Sequence, residues 1–357
     1  MDRKEKFFMK RQGKAIVIHG GGLVDCSKQC ILMLAAQLIQ IYEKIFIGYY
    51  SYEALYTREF WVEYNHRLET ALANARGTCF GTCREIFMKG QRLQKAIELL
   101  KQEGITTIIV LGGDGSSRQN SEMYEAFKAA GINIIFAIPL TIDGINGGDS
   151  IGIEQATRES VRQIENMAAT SLETRDNEQF GVLCAEIQGR NRDDITAKVL
   201  QHFVKTGKVA DRNLEDLDIY VVPTNLATEP QKLYDAINAS KKRTAVFFSE
   251  GSKTKIADLK ANTKRKVRSV IVGHQSQSNN QTNGQDLFFI CDWVQNAFNL
   301  IKDKQFDSFC IRRTSAKGVA KYECKDIHYY AQLNPYEGQV AEISEELENL
   351  LITYMAK

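Results

Sequence analysis

"IIVLGGDGSSRQN", Ile108–Asn120, decides how this chain is read. Ile108, Ile109, Val110 and Leu111 run straight into Gly112-Gly113-Asp114-Gly115-Ser116, and residues of helical composition follow. A short apolar run closed by glycine reads as a buried strand. Glycines after a strand let backbone N–H groups approach an anion, and a following helix N-terminus adds favourable partial charge. A carboxylate placed beside phosphate repels it unless a cation such as Mg²⁺ lies between them. The stretch therefore reads as strand, phosphate and metal turn, then helix.

The pattern recurs along the chain. "KAIVIHGGG" (Lys14–Gly22), "INIIFAIPLTIDG" (Ile132–Gly144), "FGVLCAEIQGR" (Phe180–Arg190), "DLDIYVVPT" (Asp216–Thr224), "RTAVFFSEG" (Arg243–Gly251) and "VRSVIVGH" (Val267–His274) each end an apolar run in small or polar residues. Between them, "RLQKAIELLKQEG" and "IEQATRESVRQIENMAAT" repeat their apolar residues at helical spacing. Strands alternating with helices predict an α/β fold whose mainly parallel sheets are covered on both faces. In such folds ligands bind at the carboxyl ends of the strands, where the informative residues collect. The loop-like stretches "TSLETRDNEQ" (Thr170–Gln179) and "SQSNNQTNGQD" (Ser276–Asp286) are expected to be mobile loops or crossovers between lobes.

Composition narrows the function classes. The 357 residues, 43% apolar and 25% charged, suffice for two core-bearing lobes. Forty-six basic against 44 acidic side chains give a formal charge of +2, too balanced for a nucleic-acid or membrane-surface partner. The basic start, "MDRKEKFFMKRQ", lacks the apolar centre of a signal peptide and is expected to be a surface tail. Eight cysteines in a chain this long point to reduced thiols and a cytoplasmic location rather than a disulfide scaffold. The pairs Cys26/Cys30 and Cys79/Cys83 are four apart, a spacing that on a helix would put each pair on one face. No histidine stands beside them to complete a zinc site, so buried thiols are expected.

A second strand-end site follows in "IPLTIDGINGGD", with Thr141 and Asp143. A carboxylate there could accept the proton of an attacking hydroxyl during phosphoryl transfer from ATP; alternatively it is a turn or helix-capping aspartate.

Taken in order, Gly112-Gly113-Asp114-Gly115-Ser116, Thr141-Ile142-Asp143, Gln188-Gly189-Arg190, Phe248-Ser249-Glu250-Gly251 and Gly273-His274 resemble the successive motifs of the 6-phosphofructokinase family. There they read GGDGS, TIDND, MGR, a glutamate after a buried strand, and GH. "RGTCFGTCR" (Arg76–Arg84) is similar to the family's GGTxLGSxR, and His19–Gly22 to its SGGD. The GGDGS turn also occurs in the NAD kinase and diacylglycerol kinase group, but the downstream blocks do not. The resemblance spans residues 16–274.

The resemblance implies a phosphofructokinase-type fold of two Rossmann-like lobes and an ATP-dependent kinase of a phosphosugar. Gly21, Gly113, Gly115 and Ser116 would line the ATP phosphates with Arg84 as a cation, and Asp114 would hold Mg²⁺. Asp143 would be the general base, Thr141 would stand close to the transferring phosphoryl, and Arg190 would stabilise transition-state charge. Gly189 and Glu250 would contact the sugar. Arg268 and His274 would hold its phosphate, Arg268 reaching in from a neighbouring subunit of a dimer or tetramer. Gly115 and Leu140 replace the aspartate and lysine of pyrophosphate-using relatives, which favours ATP.

Departures keep a second reading open. Gly144, Ile145 and Asn146 replace the second aspartate of TIDND, and Asp149 or Asn146 would have to substitute in holding Mg²⁺. Gly181 and Gln277 stand where the family carries phosphate-binding arginines, and Gln188 replaces the methionine of MGR. A charge-assisted contact contributes roughly 1.5–3 kcal/mol, so fructose 6-phosphate binding should be weakened. The alternative is a catalytically silent relative that binds nucleotide or a metabolite as a sensor or regulatory subunit. Three parts are expected: a tail over 1–12, a nucleotide lobe over 13–153 plus about 277–325, and a sugar-phosphate lobe over about 154–276 plus 326–357.

Overall fold

The computed structural model describes residues 12–329 apart from 23, 25, 76–77, 84–87, 143–148, 177–178, 190–192, 225–229, 278–283 and 315–319. The chain divides into two compact units: one runs up to Gly152 and resumes at Ser278, and the other is Ile153–Gln277.

The first unit is built on β1 (Gln12–His19), α1 (Ser27–Leu38), β2 (Tyr42–Gly48), β3 (Trp61–Glu63), α2 (His66–Leu72), α3 (Gln91–Gln102), β4 (Ile105–Gly112), α4 (Asp114–Ala129) and β5 (Asn133–Pro139). Its sheet has the order β3-β2-β1-β4-β5, parallel except for the edge strand β3. Strand alternation aims Ile16, Ile18, Ile108, Val110, Ile134 and Phe136 at a core completed by Leu100 of α3 and Phe127 of α4. Each such fully buried side chain contributes about 1.5–3 kcal/mol. Asp114 in the first turn and Lys128 in the last suit the dipole of α4.

The second unit comprises α5 (Ile153–Ser171), the short ladder of β6 (Arg175–Asp176) with β7 (Gln179–Phe180), β8 (Val182–Ile187), α6 (Asp194–Thr206), the short ladder of β9 (Lys208–Val209) with β10 (Arg212–Asn213), β11 (Leu217–Val222), α7 (Pro230–Ala239), β12 (Arg243–Ser249), α8 (Ile256–Asn262) and β13 (Val267–Ile271). Its four strands are all parallel in the order β11-β12-β8-β13. On one face Cys184, Val246 and Phe248 pack with Tyr234 and Ile237 of α7 and Leu259 of α8. The other face carries α5 and α6, with the Phe203 and Phe247 rings 5.8 Å apart.

The first unit is then completed by α9 (Gly284–Lys302), which packs on α1, and by the antiparallel hairpin of β14 (Ser308–Thr314) and β15 (Ala320–Asp326). Phe309 and Ile311 of β14 close the core beneath β5.

The expected α/β class with mainly parallel sheets is what the chain forms. Details differ from expectation. The described residues of 170–179 belong to the end of α5 and the β6–β7 ladder inside the second unit, whereas the Gln277/Ser278 division falls within 276–286. Cys26 and Cys30 lie at the start of α1 and are buried, but Cys79 and Cys83 sit in a half-buried loop rather than on a helix. No helix among the described residues is long and apolar enough to cross a membrane.

Candidate active site

In the first unit, β1, β4 and β5 deliver their carboxyl ends side by side. His19 is in register with Leu111, the Gly20 N–H donates to the Leu111 carbonyl at 2.7 Å, and the Leu140 N–H donates to the Gly112 carbonyl at 2.8 Å. Two glycine turns close on Ser116. A β-carbon on Gly112 would stand 2.5 Å from its Oγ and 2.6 Å from the Gly20 carbonyl oxygen, and one on Gly113 would stand 3.2 Å from Cβ of Thr141. Gly21 has φ +93°, which a side chain would strain. Gly115 differs: nothing lies within 4 Å of where its β-carbon would be, and it is exposed.

Helix α4 begins at Asp114 with Gly113 as its extended N-cap. A helix leaves the N–H groups of its first turn for outside acceptors, and they point from this turn. The turn is braced from beneath by Tyr52, which is buried and donates its hydroxyl to the Ser116 carbonyl at 2.9 Å. Burial pushes the Tyr52 phenol well above its ordinary value, so it stays a donor. His19 is 1% exposed, both its ring nitrogens lack a partner among the described residues, and burial lowers its pKa to about 4. It is a neutral imidazole at pH 7.

Asp114 fits a Mg²⁺ role of one kind only. Among the described residues no three His, Cys, Asp or Glu groups stand close enough to cage a metal. Mg²⁺ is commonly held by one or two carboxylates together with substrate phosphates and water. One carboxylate at the head of α4, among backbone donors for phosphate, suits that arrangement.

Thr141 donates its N–H to the Ile151 carbonyl at 3.0 Å, and its own carbonyl accepts the Ser150 hydroxyl at 3.0 Å. The remaining expected residues of catalysis and nucleotide binding, Asp143, Arg190 and Arg84, lie outside the described residues.

In the second unit a separate cluster forms at the carboxyl ends of β8, β12 and β13. The Glu250 N–H donates to the Ile187 carbonyl at 2.8 Å, and its Oε2 accepts the Gly189 N–H at 3.2 Å, which fixes the carboxylate at the strand end. Gly189 has φ +130°. Gln188 accepts the Ser276 hydroxyl through Oε1, so this amide is tied to the turn that carries the exposed His274. Arg268 is not in this cluster. It is exposed on the edge strand β13, three residues and about 10 Å before the strand's end.

Two departures gain physical reasons. A β-carbon on Gly181 would lie 2.7 Å from the Ser171 carbonyl oxygen, so no arginine can stand there. A different arginine, Arg265, is buried in this unit: 4% exposed, it donates to the carbonyls of Phe180, Gly181, Ile237 and Lys242 and to Thr244 Oγ1. Asp149, a candidate to replace the missing aspartate, has its carboxylate on Arg312. Neither Tyr52 nor Arg312 was marked by sequence motif; each acts through partners far along the chain.

Two doubly wound α/β units with glycine turns and carboxylates at their strand ends define the class. The chain belongs to the phosphofructokinase family, whose description, Phosphofructokinase, matches residues 14–289. It is 24% identical over 326 residues to an ATP-dependent 6-phosphofructokinase of Mesomycoplasma hyopneumoniae, covering 85% of this chain and 94% of that one. It is 32% identical over 163 residues to the Staphylococcus epidermidis enzyme of that name, covering 44% of each. A crystal structure of pyrophosphate-dependent phosphofructokinase from Marinobacter aquaeolei matches the fold with TM-score 0.72 at 14% identity, over 95% of this chain and 92% of that one. Family and relatives support a phosphofructokinase-like kinase.

Proposed function

We propose that the chain moves the γ-phosphoryl group of ATP to a hydroxyl of a phosphosugar, fructose 6-phosphate or a related acceptor. The observation that supports this reading is the closure of two glycine turns on Ser116 at the head of α4, whose first turn carries Asp114. Gly21, Gly113, Gly115 and Ser116 bind the nucleotide phosphates, with Arg84 as their cation. Asp114 would hold Mg²⁺, which would supply charge neutralisation to the phosphates.

Asp143 accepts the proton of the sugar hydroxyl, whose oxygen bonds to the γ-phosphorus while the bond to the bridging oxygen of ADP breaks. Thr141 lines the reacting end and Arg190 offsets the charge that builds up. Gly189, Glu250, Arg268 and His274 orient the phosphosugar, with Arg268 supplied by a second copy in a homo-oligomer working in the cytoplasm. The open space beside Gly115 suits a nucleotide and supports ATP over pyrophosphate.

One observation favours a catalytically silent relative that binds nucleotide or a metabolite: Asp149 is engaged by Arg312 rather than left to replace the missing aspartate. The two readings separate in one experiment. ADP release from Mg-ATP, and phosphate release from Mg-pyrophosphate, are measured across sugar phosphates, free sugars and nucleosides with Asp143→Asn as the blank. ATP turnover on a phosphosugar, lost in the variant, supports the kinase; silence with ATP still bound supports the silent relative.

A further inference from the structure

Arg312, in the middle of β14, is 2% exposed. Its Nη1 donates to Asp149 Oδ2 at 2.5 Å, its Nε donates to Asp292 Oδ2 at 3.0 Å, and its guanidinium lies 4.4 Å from the centre of the Phe289 ring. Its backbone carbonyl accepts the Asp149 N–H at 2.7 Å. Main chain and side chain of one aspartate are thus both held by one arginine. Burying a guanidinium is costly, and an apolar side chain of similar volume often stabilises a fold as well or better. A buried arginine held by two half-buried carboxylates therefore calls for a role in geometry.

What it holds is the far end of the Thr141–Asp149 stretch. The near end is stitched to the same place: the Thr141 N–H donates to Ile151, the Ile151 N–H donates to Pro139, both at 3.0 Å, and Leu140 pairs with Ile151 as an isolated parallel bridge. Just beyond, the Gly152 N–H donates to the buried Asp286 at 3.2 Å. Residues 139–142 and 149–152 are therefore fixed to one another, to α9 and to β14. Without Arg312, the carboxylate of Asp149 loses this cation and the exit of the stretch loses its side-chain tie to β14.

We propose that Arg312 is a positioning residue for the reaction, setting through Asp149 and the Leu140–Ile151 bridge where Thr141 is held. The role rests on the reading of Thr141 as standing close to the transferring phosphoryl. Arg312 touches neither nucleotide nor sugar in it.

The test compares Arg312→Met, which keeps the shape and loses the charge, with Arg312→Lys and with Asp149→Asn, which leaves Asp292 to satisfy the arginine. Amide hydrogen exchange of peptides covering 139–152 should quicken about tenfold or more in Arg312→Met and Asp149→Asn, and less in Arg312→Lys. Mg-ATP affinity should stay within about threefold, while kcat falls about thirtyfold or more with KM little changed. Exchange in 139–152 within twofold of the parent, in a variant whose melting is cooperative, overturns the proposal. If Arg312→Met does not fold, Asp149→Asn decides it alone. If the parent chain turns over no acceptor, exchange still decides whether Arg312 holds the stretch, and the positioning role falls with the kinase reading.

Discussion

Gly20 and Ser116 approach so closely that a β-carbon on the glycine would lie 2.3 Å from the serine Oγ. Two strands, β1 and β4, thereby bring their following turns into contact with only hydrogen in the gap. Gly20→Ala should cost about 1–3 kcal/mol as an overpacking change, whereas Gly115→Ala should leave stability unchanged or raise it by up to about 1 kcal/mol. Urea denaturation of both variants checks this. Equal midpoints would show that the turns are not packed against each other.

Asp114 heads α4 and is expected to hold Mg²⁺ between itself and phosphate. Asp114→Asn should weaken Mg-ATP binding by about 10- to 100-fold, the loss of one charge-assisted contact. Asparagine keeps the size and an acceptor oxygen, so the variant should still melt cooperatively, with the favourable helix-dipole interaction removed. Calorimetric titration with and without Mg²⁺ reads the binding effect, and unchanged Mg-ATP affinity would remove Asp114 from the metal role.

His19 makes stability depend on pH. Its folded-state pKa is lowered by burial from 6.5 to about 4, so between these values the unfolded chain binds a proton that the folded chain refuses. Its contribution is therefore full above pH 6.5 and is lost as pH falls towards 4, at about 1.4 kcal/mol per unit. His19→Leu should flatten this dependence relative to the parent between pH 7 and 5. Parallel curves for parent and variant in chemical denaturation would mean that folded His19 takes up its proton over the same pH range as in the unfolded chain.

Arg265 donates to four carbonyls and a hydroxyl inside the second unit, and burial lowers its pKa. Arg265→Met should destabilise by about 3–5 kcal/mol, since several buried carbonyls lose their donor. Arg265→Lys should recover little, because an ammonium cannot span the fork. Thermal melts of the two variants, each compared with the parent, test both statements.

The alternation of apolar runs with helical stretches gave the α/β class because each run is local and ends in glycine or a small polar residue. β2 escaped notice: "YEKIFIG" carries two charged residues in its first half, exposed at the strand's start. The hairpin of β14 and β15 was invisible for a related reason. "SFCIRRT" reads as polar, and Arg312 can be buried only because Asp149 and Asp292 supply its counter-charges from 163 and 20 residues away. The first unit's glycine turn was legible because phosphate chemistry demands small residues in a contiguous stretch. Gly181 showed no such signal, since its lack of a side chain answers to the Ser171 carbonyl. The exposure of β13, with Ile271 62% exposed, follows from its edge place in the sheet rather than from its apolar composition.

The chain leaves the first unit at Gly152 and re-enters it at Ser278. On a ribosome this imposes an order. The described part of the second unit, Ile153–Gln277, is one uninterrupted run that emerges before α9, whereas α1 waits for α9, and the core under β5 waits for Phe309 and Ile311. At about 5–20 residues per second the wait exceeds roughly 6 s. Through that interval a half-built sheet exposes its apolar face. A synonymous change in translation speed across Ile153–Gln277 would thus lengthen or shorten that exposure without altering a single residue.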